Sequence, residues 1–75
     1  MEEARKKFEE VSKVLRQTVD VSFEEYEKDK AVKNEMVILW QATISDFLQY
    51  AVKMSEKHNA KDLYKSIARA LIFGK

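Results

Sequence analysis

The chain has 75 residues, 45% of them hydrophobic and 36% charged, with 14 basic side chains against 13 acidic ones and a formal net charge of +1. That length holds one domain and excludes a multidomain enzyme. A domain so small buries only about 60% of the surface its unfolded chain exposes, so it ordinarily needs a metal, a disulfide, a partner chain or very regular helix packing. With no cysteine, no proline and one glycine, Gly74, disulfides, thiolate metal sites, cysteine nucleophiles, glycine-rich phosphate loops and tight β-hairpins are excluded, and long uninterrupted helices are expected.

The first residues, Met1 to Lys7, lead into no apolar stretch of the kind a signal peptide needs. The longest apolar run, Met36-Val37-Ile38-Leu39-Trp40, is far below the roughly 20 residues that span a bilayer. A soluble, cytoplasmic protein without a membrane span is expected.

From Glu2 the apolar positions Ala4, Phe8, Val11, Leu15, Thr18 and Val19 follow helical spacing and share one face. Glu9 and Lys13 between them are spaced for an i,i+4 ion pair. Asp20-Val21-Ser22 then interrupts the pattern. Ser22 followed by Glu25 reads as a capping box, with Val21 and Tyr26 as its hydrophobic staple, so a new helix is expected near Phe23. The alternative is a first helix that runs through this point with a bend.

The central segment carries Val32, Met36, Leu39, Trp40, Thr43, Phe47, Tyr50, Ala51 and Met54 at helical spacing, with a second stripe of Val37, Ile38, Ile44, Leu48 and Val52 beside it. At 100° per residue, Val37 to Trp40 alone cover about 300° of the circumference. A helix apolar most of the way round is central in its own domain or shared with another chain. Asn59 is the expected left-handed C-cap after His58. A last helix with Leu63, Tyr64, Ile67, Ala70 and Leu71 on one face ends near Phe73, with Gly74 as terminator.

Residues 1–75 therefore read as a single all-α domain with no internal repeat or linker. It is a small helical bundle of three to four helices at about residues 2–19, 23–30, 31–58 and 60–73. Its expected core is Phe8, Leu15, Trp40, Phe47 and Ile67. So few helices cannot surround Trp40 from every side, and a dimer formed through the central helix is expected to complete the bundle. Val37, Ile38, Trp40, Ile44, Phe47 and Leu48 are the expected oligomer or partner interface.

Chemistry-bearing constellations are few. On an unbroken helix Ser55, His58 and Asp62 would line up as nucleophile, base and orienter, but nothing supplies an oxyanion hole. A histidine near a helix C-terminus, where its partial positive charge suits the dipole, is the plainer reading. His58 and Asp62 would give two metal ligands where three or four are needed. Glu2-Glu3, Glu9-Glu10 and Glu24-Glu25 lie in charge-rich stretches and read as solvated surface. No catalytic residue, metal or cofactor is expected.

Charge is distributed unevenly. Residues 1–30 carry nine acidic and seven basic side chains, and residues 31–75 four acidic and seven basic. Lys53, Lys57, Lys61, Lys65 and Arg69 recur every four residues, and on an unbroken helix would wind slowly as a basic ridge able to contact phosphates. A solvated outer face is the competing reading, and the break expected at Asn59 would split the ridge. The C-terminal stretch, Lys61 to Lys75, is basic and amphipathic. Alone it would suit an anionic membrane or a partner's groove, but a small bundle needs its apolar face for the core.

The segment from Val32 to Thr43 resembles the central helix of the helical substrate-binding partners of minimal nucleotidyltransferases. Val32, Lys33, Asn34, Val37, Trp40, Gln41 and Thr43 carry the likeness, with Asn59 at the turn and Asp62-Leu63-Tyr64-Lys65 at the next helix start. The likeness spans about half the chain, and Lys33 and Gln41 stand where arginine and glutamate are usual. It implies a dimerising four-helix-type bundle that docks beside a separate catalytic subunit and has no catalysis of its own. The residues together lead to a non-enzymatic, homo-oligomeric protein-interaction module, accessory or regulatory in role. The alternative is a small nucleic-acid-binding regulator that uses the basic ridge.

Overall fold

The structure, a computed structural model, describes residues 1–74. They form α1 (Glu2–Lys28), a 3-10 turn (Lys30–Val32), α2 (Lys33–Lys57) and α3 (Lys61–Phe73), with no strand among the described residues. The all-α class is as expected. By compactness the chain divides into two units, Met1–Ile38 and the residues from Leu39 onward. The first holds α1, the turn and the opening of α2. The second holds the rest of α2 and α3.

α1 runs without a break through the point where a new helix was expected. The Ser22 hydroxyl donates to the Thr18 carbonyl at 2.7 Å, and Thr18 donates likewise to Val14 at 2.8 Å. A capping hydroxyl must instead accept from a backbone N–H ahead of it. No proline or glycine forces the chain out of the helix here, and leaving it would forfeit backbone hydrogen bonds. The alternative of a first helix that runs through this point is the one observed, from Glu2 to Lys28, while Asp29 and Lys30, expected in the second helix, lie outside it. Glu2 and Glu3 in its first turn and Lys28 in its last suit the helix dipole. Its ion pair is Lys7 with Glu10, at 3.5 Å, rather than the expected Glu9 with Lys13.

The joint falls at Asp29, which is extended at φ −151° and ψ 100°. Its N–H still donates to the Glu25 carbonyl at 3.0 Å, and its carboxylate accepts from the Ala31 N–H at 3.0 Å. One aspartate thus closes α1 and caps the 3-10 turn. The Lys30 ammonium lies 4.4 Å from the centre of the Tyr26 ring, a cation–π contact across the same joint.

The second joint is as expected. Asn59 is left-handed, φ 52°. Its N–H donates to the Glu56 carbonyl at 3.2 Å and the Ala60 N–H to that of Ser55 at 2.7 Å, the paired bonds of a Schellman motif. Asparagine tolerates this conformation better than residues without a short polar side chain. Asn59→Ala is expected to cost about 1 kcal/mol and Asn59→Gly to be neutral or stabilising, measured as shifts in the urea midpoint. Gly74, φ 72°, is also left-handed but ends α3 with the simpler cap, its N–H donating to the Ala70 carbonyl at 2.9 Å.

None of the expected core residues is buried within its own unit. No hydrophobic side chain is buried among the described residues, and the buried residues are Ser22 at 7% exposure and Ser55 at 8%. Phe8 is 70% exposed, Leu15 45%, Phe47 51% and Ile67 50%, while Trp40 is half-buried. An amphipathic stripe is buried only where a second layer lies along its length. In the first unit, α1 packs against the turn that follows it, a contact too short to cover a helix of 27 residues.

Candidate interaction surface

α2 is the most apolar face-former in the chain, since Asp46 is the one charged residue between Val37 and Val52. At 100° per residue, side chains from Leu39 through Phe47, Trp40 and Ile44 to Leu48 fill about half its circumference. Thr43 lies within this arc, its hydroxyl donating to the Leu39 carbonyl at 2.8 Å. Of the expected interface residues, Val37, Ile38, Ile44 and Phe47 are exposed, and Trp40 and Leu48 are half-buried. Half-buried Met36, Trp40, Ala51 and Met54 mark the middle of the arc, with exposed apolar side chains on both sides. Leu39 and Tyr50 belong to the exposed band too. They lie on the same helical spacing, and only the choice of a narrower stripe left them out.

The five basic residues are all exposed but do not share one helix. Lys53 and Lys57 lie on α2, and Lys61, Lys65 and Arg69 on α3. The left-handed Asn59 separates the two sets, as the expected break implied. Within α3 the apolar face was expected to pack into the core, yet Leu63, Ile67, Leu71, Ile72 and Phe73 are all exposed. Only Tyr64, Ala68 and the preceding Ala60 are half-buried.

The line of Ser55, His58 and Asp62 is also cut at Asn59, because the three residues no longer lie on one helix. The Ser55 hydroxyl donates to the Val52 carbonyl at 2.7 Å, so its proton is committed to its own helix. The paired glutamates are exposed. Among the described residues no three His, Cys, Asp or Glu side chains group together as a metal site would require, and no helix is long and apolar enough to cross a membrane.

On α1, Phe8, Val11, Leu15 and Val19 line an open apolar surface along one side of the helix. Exposed apolar side chains are thus what each helix presents among the described residues. No protein-family model, curated protein or solved structure matches the chain.

Proposed function

We propose that the protein is a non-enzymatic helical interaction module of the cytoplasm, which self-associates and serves as an accessory or regulatory subunit to another protein. The observation that carries this reading is that, among the described residues, neither unit buries a hydrophobic side chain of its own. The α2 face of Val37, Ile38, Trp40, Ile44, Phe47 and Leu48 is the proposed contact. The likeness of residues 32–43 to nucleotidyltransferase partner subunits supports an accessory role beside a catalytic chain.

Light scattering at micromolar concentration is expected to give at least twice the 8.8 kDa mass of the chain. A cooperatively folded monomer would refute self-association. The accessory role is tested by affinity capture with the assembled protein, in which recovery of a nucleotidyltransferase in fixed stoichiometry is the expected result and recovery of nucleic acid alone the contrary one.

A further inference from the structure

α3 carries two rows of exposed side chains of opposite character. Leu63, Ile67, Ala70 and Leu71 are exposed, and at 100° per residue they fall within about 100° of the helix circumference. Lys61, Lys65 and Arg69 are exposed as well and fall within about 80° of one another, centred about 170° round from the apolar row. Half-buried Tyr64 and Ala68 run along one border between the rows, and Asp62 and Ser66 along the other. Ile72 and Phe73, just before Gly74, make the last turn apolar on the remaining sides too.

We propose that α3 binds the surface of an anionic lipid bilayer. It lies in the plane of the interface, with Leu63, Ile67 and Leu71 toward the acyl chains and the basic row at the level of the headgroups. A helix is about 10–12 Å across and an interfacial one sinks about 5–10 Å, so the row opposite its apolar face stays among the phosphates.

Charge decides the occupant. Along α3 three basic side chains stand against one acidic one, Asp62. From Lys53 to Phe73 five basic side chains stand against Glu56 and Asp62. A nucleic acid would engage the basic row and leave the apolar row in water. Pairing α3 with its own copy would cover the apolar row but set two helices of like charge side by side. An anionic bilayer satisfies both rows at once, through apolar burial and attraction of roughly 1 kcal/mol per basic residue near its surface. The apolar row is aliphatic, with no aromatic anchor to fill a protein pocket, which suits a fluid surface that offers area.

The test is co-sedimentation of the full chain with vesicles of phosphatidylcholine, alone or with about 30% phosphatidylglycerol. Binding at least tenfold tighter to the mixed vesicles is expected, weakening at least tenfold between about 50 mM and about 500 mM salt. Lys61→Gln, Lys65→Gln and Arg69→Gln together should weaken it at least tenfold with the circular dichroism spectrum unchanged, because glutamine keeps the helix propensity of the residues it replaces. The absence of cysteine allows one environment-sensitive label to be placed at Leu71→Cys or at Asp62→Cys. Its emission is expected to shift to the blue on mixed vesicles at Leu71 and much less at Asp62. Equal binding to neutral vesicles, equal shifts at the two positions, or a Leu71 label already shifted without vesicles and unmoved by them would each overturn the proposal. So would a chain that ignores both vesicles but retards short DNA, which would assign the basic row to nucleic acid. Light scattering that still reports self-association in such a chain would leave the α2 contact standing.

Discussion

Diluting the protein from about 100 µM to about 1 µM should lower its urea midpoint by roughly 1–2 M, because the free energy that holds the helices comes from association. For a folded dimer that dissociates into unfolded chains, each tenfold dilution removes about 1.4 kcal/mol. The structural ground is that, among the described residues, neither unit buries a hydrophobic side chain of its own. Amphipathic helices in water draw most of their stability from the packing of an apolar face, and isolated ones below about 12–15 residues are marginal. α3, at 13 residues, is therefore expected to unravel readily once its surroundings are lost. Far-ultraviolet circular dichroism at the two concentrations is the measurement. Superimposable curves would mean that a single chain is stable by itself, and would remove the main support for an obligate assembly.

The second large effect is expected from placing a charge on α2. Ile44→Glu and Phe47→Glu should each weaken self-association at least a hundredfold, about 3 kcal/mol, since a carboxylate covered by an apolar partner has no compensating charge. Both positions are exposed in the single chain, so the new carboxylate stays hydrated there and costs the isolated helix little. The penalty arises only when another chain covers the site. Lys61→Glu and Lys65→Glu, on exposed basic positions of α3, should leave association within about threefold of the parent value. Analytical ultracentrifugation across a dilution series separates the outcomes. Equal weakening by the lysine and apolar substitutions would point to an electrostatic contact, and no weakening by either glutamate would place the interface elsewhere.

The helical class was legible because 3.6-residue periodicity runs nearly the whole chain with no proline or internal glycine to interrupt it. Asn59 and Gly74 were legible as ends because few residues occupy a left-handed position cheaply, and both do so here. Ser22 misled because its hydroxyl can serve either as an acceptor for a new helix or as a donor to the old one. Spacing to Glu25 does not say which, and the choice went to the Thr18 carbonyl. Asp29 carries the real joint through local bonds on both sides, a signal weakened by the charged residues around it. The core was misplaced for a different reason. Periodicity at Phe8, Leu15, Phe47 and Ile67 shows which faces need cover but not which chain supplies it. Leu39 and Tyr50 were read on the central stripe but not placed in the expected interface.

Thr18, Ser22 and Thr43 each return their hydroxyl proton to a carbonyl four residues back. These side chains look like polar interruptions in otherwise apolar faces. Ser22 is already covered within the chain; a partner covering Thr18 or Thr43 would displace water without stranding a donor, so the dehydration penalty usual for a hydroxyl in a dry contact is already largely met inside the helix. The faces are consequently drier in character than their composition suggests. Threonine and serine there keep single helices from being uniformly greasy while the chain is alone, and cost little once it is not.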